Sequence, residues 1–190
     1  TEEIYRFWQQ YGTRIIVYSV ILLVAVLGWQ VWKKTISSRE QKLRSEFASL
    51  ESIEDKEAFA ADHKGHALGG FAYLQSAKEH YLSGEYDAAL EAYKSSLKSL
   101  KETPFEGMIQ LGQAACQARL GNTEEAAAQL ERIAANEAFA EGIRAEAVFK
   151  RIVVAYEQGD DEVVEQYRPQ LESLDGAGIW TRRLNTIEKY

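Results

Sequence analysis

The residue types that most often carry chemistry are sparse in this chain. Its one cysteine, Cys116, lies in a run of small residues, which is more typical of a buried packing residue than of a nucleophile. His63 and His66 stand three residues apart, a pair more typical of a solvated loop than of a metal site. Gly69 and Gly70 lack the spacing of a phosphate-binding loop, and the sequence has no nucleophile elbow or HExxH motif. We therefore predict no catalytic residue, no metal site and no cofactor, and expect that the protein is not an enzyme.

The chemistry that the sequence favours is the binding of a protein segment by apolar and aromatic side chains. Aromatic side chains in desolvated pockets are common anchors of protein interfaces. A groove for a peptide carboxylate would need Lys, Arg and Asn on the same face, and only Lys78 fits. The candidate residues could instead be core, or be covered by the terminal helices of the chain. The predicted partner-binding groove consists of Phe71, Leu74, Tyr81, Met108, Leu111, Phe149, Val153 and Tyr156.

Three helical hairpins position these residues. Their turns contain Gly84, Gly121 and Gly159, which are 37 and 38 residues apart. Glycine in such a turn can adopt the left-handed conformation that ends a helix. Asn122, followed by Glu125, has the pattern of a helix N-cap with a capping box. Three hairpins at nearly constant spacing predict three tetratricopeptide-like repeats over residues 68–175 in an all-α fold.

Small residues indicate where the helices of each hairpin cross. The second helices place Ala89, Ala126 and then Val164 at the crossing point. The first helices place Ala77, Ala114 and Ile152 seven residues before the turn glycine, and Ile152 breaks the rule. The helical periodicity also predicts that Tyr93 and Leu97 are core residues between the first and second repeats.

An apolar run near the N-terminus predicts a membrane-spanning helix. Residues 15–32 lie between Arg14 and Lys33 and contain only Ser19 and Gln30 as clearly polar side chains. As a helix, the run would be about 27 Å long, which nearly matches a hydrocarbon core of about 30 Å. A buried core helix and a cleaved signal peptide are the alternatives, but no small-x-small cleavage site follows. The predicted anchor includes Ile15, Leu22, Leu23, Leu27, Trp29 and Trp32.

These patterns divide the chain into five parts. An amphipathic juxtamembrane helix over residues 1–12 carries Ile4, Phe7, Trp8 and Tyr11 on one face, and Gly12 separates it from the anchor. The alternative is that this helix is a frayed extension of the anchor. The anchor over residues 13–34, a helical connector over 35–67 and the repeats follow. A capping helix over 176–190 presents Trp180, Leu184 and Ile187 to the end of the array.

Charge is distributed unevenly along the chain. Residues 1–44 contain 7 basic and 3 acidic residues, whereas residues 45–190 contain 15 basic and 26 acidic ones. An acidic domain is a poor ligand for phosphates, so we expect no binding of nucleic acid. Five cations follow the apolar run and two precede it, and by the positive-inside rule alone the large domain would face the cytoplasm.

Together, the anchor and the repeats resemble a known family. The resemblance includes residues 58–61, residues 71–97, and residues 109–111 with Leu120 and Gly121, and it identifies the YfgM-like family of ancillary SecYEG translocon subunits. It implies a single-pass protein of the bacterial inner membrane with a periplasmic repeat domain. It also implies association with the Sec translocon and with a periplasmic chaperone. Lys33, Lys34 and Arg39 depart from the charge pattern of that orientation.

The expected function is therefore that of a membrane-anchored interaction adaptor at the Sec translocon. It would dock a periplasmic chaperone or a nascent secreted protein. The alternative is a cytoplasm-facing tetratricopeptide receptor or assembly factor that is unrelated to secretion. The flanking cations favour this second topology.

Overall fold

The computed structural model describes the backbone of residues 2–175 and 178–187. Within α1, side chains are described at position 18 and from position 22 onward, except at 24, 28, 31 and 36. In this part of the chain the fold is all-α, with nine helices and no strand. The helices are α1 (Glu2–Ala48), α2 (Ile53–Asp62), α3 (Ala67–Leu82), α4 (Tyr86–Leu100), α5 (Glu106–Arg119), α6 (Thr123–Ala135), α7 (Glu141–Gln158), α8 (Asp161–Leu174) and α9 (Ile179–Ile187).

The chain divides into two compact units, residues 1–49 and residues 50–190. Helix α1 makes up nearly all of the first unit and runs for 47 residues, about 70 Å at 1.5 Å per residue. It continues through Gly12, where the sequence analysis predicted a boundary. A single glycine inside a helix costs only about 1 kcal/mol relative to alanine, which is too little to end so long a helix.

The predicted anchor residues lie on α1. Trp29 and Trp32 are 62% and 58% exposed, and their rings meet edge to face with centroids 5.4 Å apart. Leu22, Leu23 and Leu27 are also exposed, and Ile15 lies outside the described side chains. Within the described residues, none of the helices has a sufficiently long apolar stretch to span a lipid bilayer.

The second unit is an array of helical hairpins. Helices α3 and α4, α5 and α6, and α7 and α8 pair within hairpins, while α4 packs on α5 and α6 packs on α7 between them. Helix α2 packs on α3 at one end, and α9 packs on α7 and α8 at the other. This arrangement is the predicted tetratricopeptide-like array.

Each hairpin turn has the same glycine-ended geometry. Gly84, Gly121 and Gly159 have φ values of 81°, 85° and 72°, in the left-handed region that the sequence predicted. The next residue in each turn donates its backbone N–H to the carbonyl five positions earlier, at 2.9–3.0 Å. Asn122 is the N-cap residue of α6, as predicted, but its side chain makes no capping hydrogen bond. The predicted capping box is therefore wrong, and the glycine turn alone sets the start of α6.

The core has two clusters, and α5 of the middle hairpin contributes to both. The first contains residues of α3, α4 and α5, and the second joins α5–α8 to α9. All six predicted crossing residues are buried, including Ile152, which is fully enclosed in the second cluster. Tyr93 is buried in the first cluster, which confirms the predicted repeat register at the crossing residues and at Tyr93. The prediction that Leu97 is a core residue is wrong, because Leu97 is only half-buried and packs against the outside of that cluster.

Helix α9 closes the far end of the array. Leu184 is buried in the second core cluster, and the Trp180 ring lies 5.2 Å from that of Phe149. The Asp175 carboxylate accepts backbone hydrogen bonds from Ile179, Trp180 and Thr181 at 2.7–3.1 Å. Burial raises the pKa of Asp175, but these bonds outweigh it and lower the pKa overall. The sequence therefore specifies a firmly capped terminal helix.

Polar side chains join α2 to α3 at the other end. Lys56 is buried, and its Nζ donates to Glu79 Oε1 at 2.8 Å. His80 lies between two carboxylates, with Nε2 at 3.0 Å from Glu57 Oε1 and Nδ1 at 2.5 Å from Glu85 Oε2. Both ring nitrogens can donate only when the imidazole is protonated. Burial lowers the pKa of His80, but the bonds to Glu85 and Glu57 outweigh it and raise the pKa overall.

This contact predicts a pH-dependent stability. Because the folded-state pKa of His80 is raised, its stabilisation is complete below the unfolded value of about 6.5 and is lost as the pH rises through the folded value. We expect the free energy of unfolding to fall as the pH rises above about 6.5, and His80→Gln to flatten that fall. Denaturant unfolding across the pH range measures it, with His63→Gln as the matched control. If the free energy of unfolding of His80→Gln falls with pH as steeply as that of the parent protein, the contacts of His80 with Glu57 and Glu85 do not stabilise the protonated imidazole.

Candidate functional site

Two neighbouring cavities lie along the surface formed by α3, α5 and α7, the first helices of the three hairpins. We call this surface the groove. The first cavity has a volume of about 190 Å³ and is bordered by residues of α3, α4, α5 and α7. Its lining consists of Tyr81, Tyr93, Met108, Leu111, Gly112, Ala115, Glu146 and Lys150.

The second cavity continues from the first. It has a volume of about 140 Å³ and shares Tyr81, Ala115 and Lys150 with the first cavity, so the two are consecutive parts of one surface. Its lining is completed by Ala118, Arg119, Phe149, Val153, Val154 and Glu157.

Five predicted groove residues line these cavities. Tyr81 borders both, Met108 and Leu111 border the first, and Phe149 and Val153 border the second. All five are buried or half-buried and pack against the core clusters or the cavity walls. Partner binding at these residues remains a prediction.

The other three predicted residues lie elsewhere. Leu74 is 4% exposed and belongs to the first core cluster, so it is part of the core rather than of the groove. Phe71 packs edge to face on Phe105, with ring centroids 4.8 Å apart, and does not line either cavity. Tyr156 is 41% exposed and also lies outside both linings. Leu111, at 3% exposed, is likewise a core residue that presents only its edge to the first cavity.

The groove also contains charged residues that the sequence analysis missed. Lys150 Nζ lies 3.5 Å from Glu146 Oε1, one helical turn away. A hydrogen bond to Tyr81 raises the pKa of Arg119, and the nearby Glu157 carboxylate adds to this rise. Lys150 directly follows Phe149 in the sequence, and Arg119 lies eight residues after Leu111, on the same face of α5. The sequence analysis considered only apolar residues at these positions and therefore missed both cations.

Tyr93 adds a polar group to the wall of the first cavity. It comes from α4 and passes over Gly112 of α5, where a Cβ atom would overlap the tyrosine ring. Burial raises the pKa of Tyr93 to about 12. The hydroxyl therefore stays protonated at neutral pH and can donate a hydrogen bond to an acceptor.

The residues considered first for chemistry have structural roles. Cys116 is fully buried, and burial raises the pKa of its thiol to about 11, so it is not a thiolate at neutral pH. His66 Nδ1 accepts the backbone N–H of Leu68 and caps α3, while the His63 ring packs on Phe59. In the described part of the chain, no group of three or more His, Cys, Asp or Glu side chains is placed to hold a metal ion.

A larger cleft lies between two inter-hairpin loops. It has a volume of about 800 Å³ and is bordered by the α4–α5 loop, the α6–α7 loop and the first turns of α5 and α7. Glu102 in its wall has φ 61°, the one positive value for a non-glycine residue in the described part of the chain. Its backbone N–H is bound by the Glu106 carboxylate at 2.6 Å. These contacts explain the loop conformation without a ligand.

The comparison with protein families agrees with the geometry. The model of the tetratricopeptide repeat-like domain matches residues 5–147, from the first turns of α1 into α7. The chain therefore belongs to the tetratricopeptide repeat-like family. No curated protein and no solved structure matches it. Domains of this family in general mediate protein–protein interactions. The family therefore indicates an interaction role for this protein but does not identify a partner.

Proposed function

We propose that this protein is a membrane-anchored adaptor of the bacterial inner membrane that docks a protein partner in the groove. The observation that most supports this proposal is the pair of consecutive cavities along α3, α5 and α7, which share Tyr81 and Lys150. Cavities of this size accept one apolar side chain each, so the groove suits a segment that presents two such side chains.

The polar groups of the groove fix the segment between those two anchors. Lys150 stands where both cavities meet, and Arg119 lies at the wall of the second. Their cationic groups suit a carboxylate or a backbone carbonyl of the partner, while Glu146 and Glu157 balance their charge. The proposed interface is therefore an apolar contact with a polar centre, not a surface held by charge alone.

The membrane and secretion parts of the proposal come from the sequence. The apolar run at residues 15–32 supports an anchor, and the resemblance to ancillary SecYEG subunits supports the Sec translocon as the place of action. A periplasmic chaperone or a nascent secreted protein is then the proposed partner. Both would bring apolar segments to a groove near the channel.

A cytoplasm-facing receptor or assembly factor is the second candidate. The specific observation in its favour is the group of five cations that follows the apolar run, against two before it. A reporter that is active only in the cytoplasm, fused to the C-terminus, separates the two orientations. Activity of that reporter would replace the first candidate by the second.

The groove itself is tested by variants in the full chain. Val153→Glu places a carboxylate in the second cavity and is expected to weaken binding of the partner that co-purifies in mild detergent tenfold or more, about 1.4 kcal/mol. Leu82→Glu is the matched control, because Leu82 is 84% exposed and lies outside both cavities. Titration of the purified partner onto each variant measures the affinity. Equal weakening in both variants, or none in Val153→Glu, would show that the partner binds elsewhere.

A further inference from the structure

We propose that Lys33 and Lys34, at the start of the basic segment 33–44 of α1, bind the head groups of anionic phospholipids. The inference rests on the proposed membrane anchor, and it adds a lipid class to that function. The segment contains Lys33, Lys34, Arg39, Lys42 and Arg44 and one acidic residue, Glu40, in a chain that is otherwise strongly acidic. Cations next to a membrane segment are attracted to anionic lipids by about 1 kcal/mol each.

The cations of the segment are available to a ligand. All five side chains are exposed, and the ion pair between Arg44 and Glu40 is long, at 3.9 Å between N and O, with both side chains open to solvent. Such a pair contributes little and is readily exchanged for another partner. The four other cations are accessible along about three turns of helix.

The arrangement of these cations indicates how the helix meets the lipid. At about 100° per residue, Lys33, Lys34, Arg39 and Lys42 point in four different directions around the axis, so they do not form one basic face. A helix lying on the surface would turn some of them away from it. A helix that emerges from the bilayer has head groups on all sides, so Lys33 and Lys34 can both reach them although they point about 100° apart.

Two tryptophans set the level of the lipid boundary. Trp29 and Trp32 are largely exposed and contact each other edge to face, directly before Lys33. Tryptophan is enriched at the boundary between hydrocarbon and head groups. With the rings at that level, Lys33 and Lys34 enter the head-group layer, while Lys42 and Arg44 lie roughly 15 Å further out, beyond the Debye length of about 8 Å.

The full chain, reconstituted in phosphatidylcholine vesicles with about 30% phosphatidylglycerol, tests this inference. The double variant Trp8→Phe with Trp180→Phe is used as background, so that only Trp29 and Trp32 remain to report contact with lipid chains. Their fluorescence is quenched by a trace of lipid brominated on its acyl chains, with either head group. We expect a preference for brominated phosphatidylglycerol of about fivefold or more, which corresponds to about 1 kcal/mol per basic residue near the surface.

Charge variants identify the residues responsible. Lys33→Gln with Lys34→Gln should bring the preference close to one, whereas Lys42→Gln with Arg44→Gln should lower it only slightly. Lys98→Gln with Lys101→Gln in the repeat unit is the control and should leave it unchanged. Equal quenching by both head groups in the parent chain, or a preference that survives Lys33→Gln with Lys34→Gln, would overturn the inference. No quenching by either lipid would instead contradict the anchor itself.

Discussion

Gly69→Ala is expected to destabilise the repeat unit by about 3 kcal/mol, although it adds a single methyl group. Gly69 lies in the first turn of α3 and is buried against the loop that follows α2. A Cβ atom there would overlap the carbonyl oxygen of His63 and would lie 3.4 Å from that of Ala60. Both are backbone atoms, so relief requires α2 to move away from α3. Denaturant unfolding of the full chain measures the loss.

Gly142→Ala is the matched control for that experiment. Gly142 lies in the first turn of α7, and a Cβ atom there would meet nothing within 4 Å. Because alanine is the better helix former, this substitution should be neutral or stabilise by up to about 1 kcal/mol. The same substitution of glycine by alanine is thus expected to lower stability at position 69 and to leave it unchanged or raise it at position 142. If the Gly69→Ala protein is as stable as the parent, α2 does not pack against α3 as described.

Ile152→Ala is expected to cost about 2–5 kcal/mol, the range for truncation of a large core side chain. The first two hairpins have Ala77 and Ala114 at the corresponding position, so a view based on the repeat pattern alone would regard alanine as acceptable. In this structure Ile152 is fully buried in the second core cluster, and its loss leaves a cavity. Thermal or denaturant unfolding distinguishes the two views.

Leu82→Ala serves as the control for Ile152→Ala. Leu82 is 84% exposed at the end of α3, and its truncation should change stability by less than about 0.5 kcal/mol. If Ile152→Ala also stays within that range, the third hairpin does not pack against α9 and the second hairpin as described.

The parts of the fold that the sequence predicted are those that single residues or local patterns determine. Gly84, Gly121 and Gly159 mark the hairpin turns because a left-handed residue is required there, and glycine adopts that conformation without strain. Ala89 and Ala126 mark helix crossings because a larger side chain would separate the helices. Both signals depend on the immediate neighbourhood of one residue, so they can be recognised without knowing the rest of the structure.

The groove was harder to predict because it depends on which helix covers which face. The apolar stripe of each first helix is wide, and periodicity alone does not separate the part under a neighbouring helix from the part beside a cavity. Leu74 is therefore core and Phe71 packs on Phe105, whereas Lys150, a charged residue, lies between the two cavities. Gly69 shows the same limit, because its role comes from a loop that only the packing of α2 brings close.

The most direct test of the proposed adaptor function is site-specific photocrosslinking from the groove. A photoreactive amino acid replaces Val153 in one full-length variant and Lys94, an exposed residue of α4 outside both cavities, in another. Each variant is irradiated in membranes with the partner that co-purifies in mild detergent. The account predicts a discrete adduct with that partner from position 153 and none from position 94. An adduct from position 94 but not from position 153 would contradict it.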